Sequence, residues 1–192
     1  MNEKAYEDQL RQLIRQNERV MTLLRTVRRG NPPDWLVGAG VIRNLVWDHL
    51  HGFTQPHLPR DIDVAFFDPT DLSPERDTAV TAQLTALMPT VEWEATNQAA
   101  VHVWYAAEYG QVVPPLRSAA EAIATWPETA TCTAVRLLPD DSLHIVAPFG
   151  LNDLFQMILR RNPARVTVEQ FYQRLQSKQI RQKWPLVQMI DG

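Results

Sequence analysis

At 192 residues the chain has the size of one hydrophobic core, or one core with a helical appendage, which argues against a string of domains. With 45% hydrophobic and 21% charged residues it is no disordered polyampholyte, and no apolar run is long enough to span a bilayer. A net charge of −3 excludes a uniformly basic nucleic-acid surface, and a single cysteine, Cys132, excludes an internal disulfide.

The charge is unevenly spread. Residues 1–30 carry seven Lys/Arg against four Asp/Glu, residues 151–192 seven against three, and residues 31–150 five against fifteen. An acidic centre suits a site for divalent cations, and the basic ends read most simply as solvated helix faces. The charged N-terminal residues lack the pattern of a secretion signal, and the cysteine usage fits a reducing compartment, so the expected location is cytoplasmic, without membrane association. The segmentation expected is a helix over 1–30, a core over 31–150 and a helical segment over 151–192 packed on that core.

In chain order, Leu10, Leu13, Ile14, Met21, Leu24 and Val27 recur at helical spacing and predict one amphipathic helix over 4–29, ended by Gly30-Asn31-Pro32-Pro33. A short strand, Trp35-Leu36-Val37, runs into Gly38-Ala39-Gly40 and a helix over 41–51. After a His- and Pro-rich loop, 61–67 reads as a strand, Ser73-Pro74 opens a helix ending before Pro89, and 90–95 alternates as a strand. Helices are predicted over 98–107 and 117–126, and a hairpin joins 130–138 to 143–146. A helix is expected over 151–159, and another opens at Thr167 with Gln170 at capping-box spacing. This order indicates an α/β (α+β) fold, a small mixed sheet with flanking helices.

In Asp61-Ile62-Asp63-Val64 the period of two puts both carboxylates on one strand face. Adjacent carboxylates raise each other's pKa unless a cation sits between them, and magnesium fits, since it takes one or two carboxylates plus waters and phosphate oxygens. Neutralisation of one acid by Arg60 is the bland alternative. The acids open the strand and the apolar run follows them, which argues against dehalogenase-type phosphatases and DxD glycosyltransferases. The turn Gly38-Ala39-Gly40 leads into a helix N-terminus, where free N–H groups attract anions, and Arg43 adds a charge-assisted donor. Neither a P-loop nor a GxGxxG pattern is present.

Strand, glycine turn, helix, then a strand opening with Asp-x-Asp resembles the DNA-polymerase-β-like nucleotidyltransferase superfamily. Val37-Gly38-Ala39-Gly40-Val41-Ile42-Arg43-Asn44 is similar to the Gly-Gly-x-Val-Arg-Asp signature of tRNA nucleotidyltransferases, with Ala39 for a glycine and Asn44 for an aspartate. Trp93-Glu94-x-x-Asn97-Gln98-Ala99, Trp126-Pro127-x-Thr129-Ala130-Thr131 and Ala147-Pro148-x-Gly150-Leu151-x-Asp153-Leu154 resemble a bacterial nucleotidyltransferase-like family over about residues 30–162. The resemblance implies the polymerase-β-like fold with additional N- and C-terminal helices, magnesium (or manganese) as cofactor, and an NTP as substrate.

It also implies a third carboxylate on a neighbouring strand. Glu94 is favoured over Glu92, which shares its face. The implied catalytic and metal-binding set is thus Asp61, Asp63 and Glu94, with Gly38, Ala39, Gly40, Arg43 and Asn97 binding the nucleotide. The implied reaction transfers a nucleoside monophosphate to a hydroxyl and releases pyrophosphate. A small molecule or protein ranks above RNA as acceptor, because the large helical region of tRNA-tailing enzymes is not evident. The alternative is a non-catalytic nucleotide- or protein-binding module on the same fold.

Other residues read as structural: His49, His51 and His57 as turn histidines with spacing too loose for zinc, Cys132 as a core thiol, Asp153 as a partner of its helix dipole, and Arg136, Arg160 and Arg161 as surface charges. The Trp93, Trp104 and Tyr105 cluster reads as aromatic core, with base stacking as the rival.

Overall fold

A computed structural model describes residues 2–190. Its elements are α1 (Glu3–Gln16), α2 (Glu18–Gly30), β1 (Leu36–Gly38), α3 (Gly40–Leu50), β2 (Asp61–Phe66), α4 (Pro74–Leu87), β3 (Glu92–Asn97), α5 (Val101–Tyr109), α6 (Ala119–Ile123), β4 (Ala134–Leu137), β5 (Leu143–Val146), α7 (Asn152–Phe155), β6 (Ile158–Arg160), α8 (Val168–Lys178), α9 (Ile180–Lys183) and β7 (Gln188–Ile190). Five strands form a mixed sheet in the order β3-β2-β1-β4-β5, antiparallel throughout except for the parallel pair β2–β3 that α4 connects. No helix among the described residues is long and apolar enough to cross a membrane.

The alternation of each strand divides the hydrophobic residues between two layers of unequal size. Val37, Ile62, Val64, Phe66, Trp93 and Val135 face one side and join the buried residues of α1–α4 and the C-terminal segment in one large core cluster. Leu36, Ala65 and Ala134 face the other side, where only a small cluster with Ala119, Ile123 and Cys132 covers them. Fully burying side chains such as Ile62, Val64 and Phe66 contributes roughly 1.5–3 kcal/mol each, so the large cluster fixes which way β2 faces. Asp61 and Asp63 then necessarily stand on the thinly covered side.

Several elements depart from the sequence expectation, among them the strand expected over 130–138, which covers only Ala134–Leu137 and is preceded by a 3-10 turn at Thr129–Thr131. The single helix over 4–29 is two, broken at Asn17, whose extended backbone caps α2 through a 3.0 Å bond from Val20 N–H to Oδ1. Asparagine competes for backbone donors in this way, and the break lets α2 pack on α4 while α1 packs on α2 and α3. The helix over 151–159 stops after one turn, where Met157 adopts φ 54°, and Ile158–Arg160 pairs in parallel with Gln188–Ile190. A short apolar run such as Met157-Ile158-Leu159 fits helix or strand equally well by pattern. The helix expected over 98–107 begins at Val101. The Thr167–Gln170 capping box is present on α8.

The β1–α3 turn that fronts the site rests on two backbone peculiarities. A Cβ on Gly38 would lie 2.7 Å from the Ala134 Cβ, 2.7 Å from the Thr133 carbonyl and 2.8 Å from the Trp126 ring, so β1 and β4 close only over a glycine. Ala39 has φ 52° and ψ −121°, a region that favours glycine and strains any residue with a Cβ. Gly38→Ala is expected to lower stability by about 1–3 kcal/mol through overpacking, and Ala39→Gly to raise it by about 1 kcal/mol by releasing strain, both read as urea midpoints. Equal midpoints for the two variants would show that the turn is built differently.

Candidate active site

The parallel register pairs Asp61 with Glu92 and Asp63 with Glu94, so all four carboxylates project from the same thinly covered face, at the start of both strands. They then separate. Glu92 is exposed and pairs with Arg60 at 3.3 Å, while Glu94 joins Asp61 and Asp63 in lining a cavity of about 590 Å³. Arg60 is therefore spent on Glu92, and the Asp61–Asp63 pair has no ion-pair partner among the described residues.

The strand-to-helix turn from β1 to α3 reaches the same cavity: Ala39, Gly40 and Arg43 are among its lining residues. No side chain caps the N-terminus of α3 and its first turn holds no acid, so its N–H groups face the cavity unclaimed by any side chain. Arg43 lies beside two indoles that pack edge-on against each other, 5.3 Å from the Trp47 ring and 5.5 Å from the Trp184 ring. Its hydrogen bonds, 3.2 and 2.9 Å, go to the neutral Asn44 Oδ1. A guanidinium so buried without a carboxylate in contact is costly, and desolvation lowers its pKa to about 10. The missing counter-charge is what an anionic ligand would bring.

A family profile described as nucleotidyltransferase matches residues 25–189. The chain belongs to this nucleotidyltransferase family. Thirteen solved chains match significantly, whereas no curated protein does. An NMR structure of a CCA-adding enzyme head domain superposes with a TM-score of 0.78 at 24% identity, covering 96% of both chains. A CCA-adding enzyme with ATP (TM-score 0.56, 14% identity, 94% of this chain) and the Thermotoga maritima enzyme complexed with tRNA (0.52, 14%, 89%) share the fold too, but this chain spans only 42% and 38% of their lengths. The fold is thus the polymerase-β-like one expected, a mixed sheet with flanking helices as in the CCA-adding head.

Among the described residues, no three His, Cys, Asp or Glu side chains make a ready metal cage. A magnesium site would not require one, because magnesium retains waters and accepts phosphate oxygens alongside one or two carboxylates. The hard-oxygen donors fit that demand. Desolvation, then Asp61, then Glu94 raise the Asp63 pKa to about 6, and desolvation followed by the hydrogen bond to Asp61 raises that of Glu94. Oxygens crowded enough to hold protons this firmly are ones that a small divalent cation would relieve.

Not every expected residue reaches the cavity. Gly38 lies behind it, where its role is the close packing of β1 on β4. Asn97, expected to read a nucleotide edge, is corrected: it is buried, its Oδ1 accepts from the N–H groups of Asp68 (2.9 Å) and Ala99 (3.1 Å), and its Nδ2 donates to the carbonyls of Asp68 and Asp71 (both 2.8 Å). With four bonds made it has none to offer a ligand, and it ties the β2–α4 loop to β3. Asp153 binds Thr129 Oγ1 (2.7 Å) and Arg160 (2.9 Å), and the buried Cys132 thiol is pushed up to about 12 by desolvation. His51 and His57 are engaged by Trp47 and Asp48. Trp93 is core, but Trp104 and Tyr105 are partly exposed beside a second cavity.

The wall that sequence reading missed is the C-terminal one. Arg174 and Lys178 on α8, Lys183 and Trp184 line the same cavity, and Arg174 is anchored by buried Glu128 at 2.9 Å. Lys178 and Arg174 both act on Asp63 by charge. Their signal was present: Arg174 and Lys178 stand four apart, one helix face, in a basic segment complementary to the acidic centre.

The raised Asp63 pKa has a consequence for stability. At Asp63 the folded chain retains a proton that the unfolded chain loses near 3.8, so this group's contribution to metal-free stability falls as pH rises from there to about 6 and is constant above. Asp63→Asn should remove that loss, melting later than the parent at pH 8, by a margin on the order of 2 kcal/mol, with the difference vanishing near pH 4. Thermal melts in chelator measure this; a variant less stable at pH 8 contradicts it.

Proposed function

We propose that the chain is a magnesium-dependent nucleotidyltransferase that moves a nucleoside monophosphate from an NTP to a hydroxyl acceptor and releases pyrophosphate. The observation that carries this is the meeting of two complementary half-sites on one cavity. One is the α3 N-terminus with Arg43, which has no ion-pair partner among the described residues, and the other is Asp61, Asp63 and Glu94.

The residues divide the work by charge. The α3 N–H groups and Arg43 bind phosphate oxygens, and the two indoles fix the guanidinium in place. Asp61 and Asp63 would hold the metal, which when bound neutralises triphosphate charge and favours ionisation of the acceptor hydroxyl. The acceptor oxygen forms a bond to the α-phosphorus as the bond to pyrophosphate breaks. Glu94, disposed to hold a proton by burial and by Asp61, takes the one the hydroxyl loses. Arg174 and Lys178 offset the charge of the departing pyrophosphate or of the carboxylates themselves.

A small molecule remains the favoured acceptor. The cavity, whose lining includes residues of the C-terminal helices, holds about 590 Å³, the size of a small-molecule site. The relatives in complex with tRNA make an RNA end the rival. Nucleotide binding without turnover is the second reading, and the strained Ala39, where related turns hold a second glycine, favours it.

The decisive assay follows pyrophosphate release from each NTP with magnesium and a panel of hydroxyl acceptors, including RNA. Asp63→Ala is expected to slow release at least about 100-fold while the circular dichroism spectrum is kept. Arg43→Gln is expected to raise the NTP KM about tenfold or more, the loss of one charge-assisted contact. Unchanged turnover in Asp63→Ala removes the carboxylates from the mechanism. Tight NTP binding with no turnover on any acceptor supports the binding-module reading.

A further inference from the structure

A second cavity of about 630 Å³ adjoins the first, and Trp126, Pro127, Arg174 and Ser177 belong to the walls of both. The way between them runs along β3. Glu94 and Thr96 share a face by alternation, Glu94 lining the first cavity and Thr96 the second, with Gln98 just beyond. The phosphate-binding end, Ala39, Gly40 and Arg43, belongs to the first cavity alone.

The two cavities differ in chemistry. The second is lined by no aspartate or glutamate. Its floor is aromatic: Tyr105 lies 5.9 Å from Trp104 and 4.6 Å from Tyr109, ring centre to ring centre, and Trp104 is 37% exposed. Arg165 lies over Tyr105 at 4.9 Å and has no ion-pair partner among the described residues; desolvation lowers its pKa. Aromatic surface this accessible, beside a half-buried cation without an acid, is recognition surface for a ring that carries negative charge. The volume suits one small molecule.

We propose that this second cavity binds the acceptor, a small planar aromatic molecule bearing an anionic group, with its hydroxyl directed past Thr96 toward Glu94. The inference rests on the transferase reading for the word acceptor, whereas the binding site itself stands on the cavity. The ring stacks on the exposed Trp104 beside Tyr105, the anion pairs with Arg165, and Gln98 is placed to offer its amide to a ring edge. In the transfer the acceptor oxygen bonds to the α-phosphorus, pyrophosphate leaves, and the proton passes to Glu94.

Calorimetry on the full chain in chelator, without NTP, tests the site by itself. The probes are 4-hydroxybenzoate, its uncharged counterpart 4-hydroxybenzyl alcohol, adenosine 5′-monophosphate as a nucleotide source of the same chemistry, and a single-stranded RNA. The expected result is that at least one small anion binds and that 4-hydroxybenzyl alcohol binds about tenfold more weakly than 4-hydroxybenzoate wherever the latter is the ligand. Arg165→Gln and Trp104→Ala should each weaken the small anion about tenfold, with melting temperature and magnesium–ATP affinity unchanged. Which anion binds distinguishes a free hydroxy acid from a nucleotide. No binding of either small anion up to about 10 mM, binding indifferent to both variants, or binding of RNA alone overturns the proposal. Should the small anion bind as expected while the wild type neither binds nor turns over any NTP, the transferase reading falls and the site remains.

Discussion

The parallel pairing of β2 with β3 is the constraint on which the site depends. Two antiparallel strands would bring the start of one against the end of the other, and the acids at their beginnings would lie at opposite edges. Here α4 carries the chain back so that both strands enter from the same side, and the register sets Asp63 against Glu94. The large core then decides the face. Ile62, Val64 and Trp93 are pulled into it, and every alternate residue must point the other way. The carboxylates are concentrated as a by-product of burying their neighbours, and their own desolvation, followed by their mutual repulsion, raises the proton affinities of Asp63 and Glu94.

Balancing that cost falls to distant parts of the chain. Arg60, next to the acids in sequence, is drawn to exposed Glu92. The cations that act on Asp63 are Lys178 and Arg174, more than a hundred residues later, on a helix started by its own capping box and held by the buried Glu128. The same segment supplies Trp184, whose Nε1 donates to Asp48 at 2.7 Å, and Asp48 also holds His57. One buried carboxylate thus connects α3, the loop before β2 and the C-terminal segment, and places the indole against which Arg43 lies.

What was legible in the sequence had short range. Period-two alternation put Asp61 and Asp63 on one face, the small-residue turn marked a helix N-terminus, and Thr167 with Gln170 marked the start of α8. Alternation gives Glu92 and Glu94 the same face, and the preference for Glu94 came from a resemblance; of the two, Glu94 is the one that lines the cavity. What was not legible depends on contacts between distant segments. Asn97 looked like a ligand because an amide after an acidic strand has the right chemistry, and only the β2–α4 loop folding over it shows all four of its bonds taken. The 157–160 run became a strand because β7 lay ready to pair with it, thirty residues away. Gly38 was read as a phosphate contact, whereas the requirement for glycine comes from Ala134 and Trp126.

The uneven charge of the chain acquires a spatial meaning in this fold. The acidic middle and basic end do not form separate surfaces; they face each other across one cavity, where Asp61, Asp63 and Glu94 oppose Arg174, Lys178 and Lys183. A site of only one sign would repel either the metal or the triphosphate. With both signs present, each ligand lowers the cost of the other, because the metal offsets the carboxylates and the phosphates offset Arg43 and the lysines. On the proposed function, the charges would make binding of metal and nucleotide mutually reinforcing, each ligand supplying the counter-ion that one half-site lacks. Burial lowers the affinity of Arg43 for its proton and raises that of Asp63, the latter helped by Asp61 and Glu94, so both half-sites hold their charge against desolvation.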